Sequence, residues 1–140
     1  MKRRDTGTGR VLEQMVLPAL RRGGYDLRAQ TMVGERLGGG AHVVDGIVVK
    51  DARTLLLSLK WQQVAGTAEQ KVPFEVICLA EAVLRGNFDV AYLVLGGDGW
   101  KLRTFYTDGG LNRDLHLRHA ESVHIVTLER FVALANQGQL

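Results

Sequence analysis

The chain has 140 residues, 46% of them hydrophobic and 24% charged, with a formal net charge of +3 and 2 prolines. That suffices for one hydrophobic core and excludes a disordered chain, while the weak positive balance permits a nucleic-acid partner without arguing for one. No apolar stretch reaches membrane-span length, the N-terminus lacks the apolar core of a secretory signal, and the lone Cys78 excludes an internal disulfide, so a cytoplasmic (intracellular) location with no membrane partner is expected.

In chain order, basic residues come first: Lys2, Arg3, Arg4 and Arg10, with Arg21 and Arg22 following. Such terminal tracts are usually solvated, though they could touch phosphate. Residues 9–22, GRVLEQMVLPALRR, place Leu12, Met15, Val16, Ala19 and Leu20 on one helical face. Thr8 could cap this predicted helix, Pro18 should kink or locally unwind it, and Gly23 and Gly24 should end it. Residues 25–33 predict a first strand and GERLGGG a flexible loop. Residues 42–49 and 54–61 predict a β-hairpin turning at residues 50–53.

A helix is predicted between Thr67 and Arg85, with Gly86 as its C-cap. It starts either at a Thr67–Gln70 capping box or near Pro73, since proline suits a first helical turn. Cys78 within it reads as a small buried hydrophobe and not as a catalytic thiol. Residues 89–95 predict a strand too continuously apolar for an exposed face, and GGDGW a turn. Residues 101–120 give no clear element; 123–127 predict a short strand and 128–136 a closing helix. Without a repeat or a linker, residues 1–140 are expected to form a single α/β domain.

The chemistry concentrates between Gly38 and Glu75. On the second hairpin strand, alternation puts Leu55, Leu57, Leu59 and Trp61 on one face and Leu56, Ser58, Lys60 and Gln62 on the other. Polarity thus accumulates toward the end of one face. On the preceding strand Val43, Asp45, Ile47 and Val49 are expected to share a face, which would bring Asp45 toward Lys60. Charges set into adjacent apolar strands need a partner, because an unpaired buried charge costs several kcal/mol. Each also has an ordinary reading: Asp45 could bond a backbone amide, and Lys60 could snorkel to water.

Asp45 followed after a short hairpin by Ser58-Leu59-Lys60 resembles the PD-(D/E)XK nuclease superfamily, whose members include restriction endonucleases and Holliday-junction resolvases. The resemblance implies a restriction-endonuclease-like core, a mixed sheet flanked by helices in the order α-β-β-β-α-β, which the predicted elements of residues 9–96 follow. It implies Asp45 as principal metal ligand, Lys60 assisting the attacking water, and Gln62 positioning that water or the phosphate. In resolvase-like members an early helix adds a glutamate, and Glu13 falls at that place. One departure stands out: the family's second carboxylate precedes the lysine by two residues, and here that position is Ser58. Some members with serine there supply a glutamate from the following helix. Glu75, fifteen positions after Lys60, is the favoured substitute and Glu69 the second candidate.

The resemblance therefore implies a DNA endonuclease using Mg²⁺, with Mn²⁺ as a substitute, whose catalytic set is Asp45, Lys60, Glu75, Gln62 and Glu13. Its metal ligands would be Asp45, Glu75 and Glu13. Arg36, Lys71 and the N-terminal basic residues are candidates for DNA-backbone contacts, and a homodimer is expected because two sites cut a duplex most easily. Two rivals remain: a structure-selective, Holliday-junction-resolvase-like nuclease, suggested by the short chain, and a catalytically inactive DNA-binding or assembly subunit, which Ser58 permits. Other motifs carry less. His42, His116, His119 and His124 make no closed zinc set, and Gly38-Gly39-Gly40 lacks the lysine of a P-loop. Trp61 and Trp100 could stack on bases, with a core role favoured for Trp61.

Overall fold

The computed structural model describes residues 7–140; Lys2, Arg3 and Arg4 lie outside them. The chain enters through α1 (Gly7–Val11), a π-helical turn (Leu12–Val16) and α2 (Leu17–Arg22). The expected disturbance by Pro18 takes the form of that π turn. A proline ring collides with the carbonyl four residues back, and widening the preceding turn makes room for it. The Leu17 amide accordingly donates to the Leu12 carbonyl, five residues back. Gly23 then follows α2 where side chains cannot: a Cβ there would lie 1.8 Å from the carbonyl oxygen of Ala135.

Five strands follow: β1 (Asp26–Glu35), β2 (Ala41–Lys50), β3 (Arg53–Trp61), β4 (Val90–Gly96) and β5 (Val123–Thr127), lying side by side in that order. The first three form an antiparallel meander, and β4 and β5 run parallel to β3. Parallel neighbours need long crossovers. Between β3 and β4 the crossover is α3 (Ala68–Gly86). Between β4 and β5 it is the segment that the sequence left unassigned, holding α4 (Arg103–Thr107), α5 (Gly110–Leu115) and a 3₁₀ turn (Ala120–Ser122). The chain closes with α6 (Leu128–Asn136), over the predicted residues. Among the described residues no helix is long and apolar enough to cross a membrane.

The parallel pair β3 and β4 is buried on both faces, as parallel strands are, whereas β1 is largely exposed. Leu55, Leu57 and Leu59 pack with Leu20 of α2 and Phe131 of α6. Leu56 points the other way, with Ile47, Leu93 and Leu95, onto Val72, Val76 and Leu79 of α3. This is a mixed sheet flanked by helices, in the order expected from the sequence. Alternation on β2 is less regular than expected. His42 and Val44 face α3, as do Ile47 and Val49, whereas Val43 is exposed. The face shifts by one residue across Asp45 and Gly46, so Val43 does not share a side with Ile47.

α3 starts at Ala68 without the Thr67–Gln70 side-chain box. Gln62 does the capping instead, its Oε1 accepting the Ala68 amide at 3.0 Å. Pro73 lies inside the helix and cannot donate to the carbonyl of Glu69. The Tyr106 hydroxyl donates to that freed carbonyl at 3.0 Å, which is how the helix runs through a proline unbroken. At the far end Gly86 is the last helical residue and Asn87, at φ +56°, takes the left-handed position expected of Gly86.

Candidate functional site

The β2–β3 ladder runs from Lys50 opposite Arg53 to Gly46 opposite Leu57 and stops there. At the next position a side chain replaces the backbone rung: Asp45 Oδ2 accepts the Leu59 amide at 2.6 Å. β3 meanwhile continues beside β4 to Trp61. Asp45 therefore sits in the notch where two strands part, with its other oxygen outside that bond.

Lys60 and Ser58 point from β3 toward α3, and Glu75 of that helix meets them. Ser58 Oγ donates to Glu75 Oε2 at 2.7 Å, and Lys60 Nζ stands 3.4 Å from the same oxygen. His42 Nε2 bonds Glu75 Oε1 at 2.9 Å. Glu75 is 6%, His42 1% and Ser58 1% exposed, while the Lys60 side chain, at 27%, opens the cluster to solvent. His42 Nδ1 is buried with no partner among the described residues. A proton there would be stranded at a cost of about 1–3 kcal/mol, so the ring proton belongs on Nε2, directed at Glu75.

The two carboxylates are driven apart electrically. Burial alone would push the Glu75 carboxyl up. The His42 hydrogen bond, the Lys60 charge and the Ser58 hydroxyl outweigh it, and its pKa lies below the ordinary value. Burial raises that of Asp45, and the Leu59 amide and Lys60 only partly oppose it, while the Glu75 charge adds to the rise. A divalent cation beside both would offset the penalty that burial and the Glu75 charge place on ionised Asp45. The donor set suits such an ion: Mg²⁺ takes hard oxygens, keeps several waters and is commonly held by one or two carboxylates with substrate phosphates. Asp45 and Glu75 are the residues that would hold it. No group of three or more His, Cys, Asp or Glu side chains able to hold a metal occurs among the described residues. Glu13, expected as a further ligand, is exposed on the π turn and takes part in none of the cluster's bonds.

Gln62 and Glu69 are brought together in a second network. The Gln62 amide donates to Gly99 O at 2.8 Å and to Glu69 Oε1 at 3.3 Å. Glu69 also accepts the backbone amides of Lys101 at 2.5 Å and Leu102 at 3.0 Å. Gly97 makes the approach possible: its φ is +87°, and a Cβ there would lie 2.4 Å from Gln62 O. With its side-chain carbonyl capping α3 and its amide on two acceptors, both ends of the Gln62 side chain are engaged within the fold. Glu69 is likewise engaged away from Asp45 and Lys60.

The remaining candidates are dispersed. Arg10, Arg36 and Lys71 are exposed, and Trp61 is partly exposed at the end of β3. Trp100 is buried, donating its Nε1–H to Gly96 O at 2.7 Å, so it has no face free for a base. His116 and His119 occupy left-handed turn positions. The residue that sequence reasoning missed is His42. Its one signal is a polar ring in the apolar run HVVDGIVV, three residues before Asp45.

A family model of the PD-(D/E)XK nuclease superfamily domain matches residues 4–139. A search of the curated proteins finds no match. Among solved structures, the crystal structure of a protein of unknown function, AF1548, is 10% identical with a TM-score of 0.49, over 81% of this chain and 54% of that one. The chain thus spans about half the length of that protein.

Proposed function

The chain belongs to the PD-(D/E)XK nuclease superfamily, and from that premise we propose that it is an endonuclease hydrolysing DNA phosphodiester bonds with Mg²⁺, or Mn²⁺ in its place. One observation carries this reading: Asp45 stands in the notch beside β3, and Lys60 on that strand faces the Glu75 carboxylate of α3. When bound, a divalent cation polarises a phosphoryl oxygen and makes water a better nucleophile near neutral pH. Asp45 and Glu75 would hold it, Glu75 standing in for the carboxylate missing at Ser58. Ser58 has a different task, donating to Glu75 Oε2 and so fixing the substitute from the position it replaces. Lys60, at the open side of the cluster, would orient the attacking water and offset the charge that develops on the phosphate. Lys71 and Lys101 are exposed near the start of α3, where they could neutralise backbone phosphates. Cutting both strands of a duplex fits a two-fold homodimer.

The inactive-subunit reading draws on Ser58 and on the unassembled third carboxylate. Incubating supercoiled plasmid and a four-way junction with the protein, with and without Mg²⁺ or Mn²⁺, separates the readings. Metal-dependent cutting is expected, falling by about 10²–10³-fold in Asp45→Ala and Lys60→Ala. Wild-type rates in either variant would overturn the assignment. Binding without cutting on any substrate would favour the inactive subunit, and a strong preference for the junction would favour the resolvase-like form. Activity kept in Glu75→Ala but lost in Glu13→Ala would move the second carboxylate to the N-terminal helix.

A further inference from the structure

Resting on this nuclease reading, we infer that His42 is a positioning residue that orients the Glu75 carboxylate toward the divalent cation. The need for one follows from where Glu75 originates. A carboxylate at position 58 would be held directly by a strand that is paired with β4. Glu75 reaches the notch from α3, on a side chain with three rotatable bonds before its carboxylate. Ser58 and Lys60 both gather on Oε2, and neither touches Oε1. Among the described residues His42 alone bonds that second oxygen, at 2.9 Å and from β2.

The bond has one sense. Nδ1 is buried without a partner among the described residues, so Nε2 carries the proton and donates. With Nε2 donating to Oε1, and Ser58 and Lys60 on Oε2, the carboxylate is held by both of its oxygens. Without His42 the carboxylate could rotate about its last bond and share its oxygens differently. Partners of a ligand in this outer position commonly govern metal affinity by about 10–100-fold.

Side chains of different reach test the idea. The glutamine amide extends about as far as the histidine Nε2, whereas asparagine is one methylene shorter and leucine fills the space without a donor. For wild type, His42→Gln, His42→Asn and His42→Leu, Mn²⁺ affinity is measured by titration calorimetry on the DNA-free protein, and plasmid cutting is followed against Mn²⁺ concentration. Asn and Leu are expected to weaken Mn²⁺ binding about tenfold or more, with Gln recovering most of the loss. The Mn²⁺ concentration for half-maximal cutting should rise in step, while the rate at saturating Mn²⁺ changes much less. A merely space-filling histidine would make Gln and Asn alike. Equal Mn²⁺ affinity in Gln and Asn, or wild-type affinity in folded Asn protein, overturns the role of His42 and leaves the nuclease reading standing. Wild-type protein that neither binds Mn²⁺ nor cuts overturns both.

Discussion

Glu69 and Glu75 are two glutamates of one helix, six positions apart, buried to 8% and 6% exposure. Their partners make them different objects. Glu69 is closed off by neutral donors: two backbone amides of the segment after β4 and the Gln62 amide. It fastens the start of α3 to that segment. Glu75 meets side chains from three positions on two strands, one of them a lysine open to solvent. A carboxylate saturated by backbone amides has little left to offer an ion. One held by a hydroxyl, an imidazole and a movable ammonium can exchange a partner for a cation. Burial alone therefore does not separate a fastening from a site; the identity of the donors does.

The same substitution at both positions would break or sharpen this contrast. Glu75→Gln keeps the shape and removes the charge, so cleavage should fall by about 10²–10³-fold; it also turns an amide against the His42 or Ser58 donor and should lower the thermal midpoint. Glu69→Gln turns an amide against a backbone donor and should cost about 1–3 kcal/mol, seen as a lower denaturant midpoint, with near-normal cutting per folded molecule. Equal losses of activity at the two positions would erase the distinction.

A smaller effect follows from Asp45. Its folded pKa is raised, so it favours the fold when protonated, and that contribution is lost as pH rises through the raised value. Glu75 has the opposite sign: its stabilisation is present above the unfolded pKa and is lost as pH falls through the lowered one. Asp45→Asn should therefore melt higher near neutral pH, by roughly 2–4 °C, with the gain shrinking on acidification. Added Mn²⁺ should raise the wild type and not the variant, because only the former binds it well. The smallest effect belongs to the fastening side. Tyr106→Phe should cost about 1 kcal/mol in chemical denaturation by stranding the Glu69 carbonyl, and less in a Pro73→Ala background, where a backbone amide is restored.

Much of this was legible in the letters. The alternation of Leu55, Leu57 and Leu59 against Leu56, Ser58 and Lys60 is visible because β3 is regular and buried on both faces. The same reasoning miscarries at Val43, because β2 shifts its face where the ladder gives way to Asp45. No periodicity announces a side chain substituting for a backbone rung. Residues 101–120 stayed opaque because α4 and α5 are too short to show a helical period, and the segment is tied at Lys101 and Leu102 to Glu69, 32 and 33 positions away. Gln62 looks functional by spacing, yet its partners lie at Ala68, Glu69 and Gly99, which only the folded chain brings together. His42 was hidden for the same reason: its partner is 33 residues away.

The Asp45–Leu59 bond has a last consequence for how errors in this sheet would show themselves. One carboxylate both closes the gap between two strands and stands in the notch, so strand alignment and the placing of that charge share a single fastening. A slip of β2 by one residue would send its side chains to the opposite faces, taking away the last tie of β2 to Leu59 and the notch's acid together. Misalignment here could not hide as a slightly softened fold; it would leave the notch without its acid.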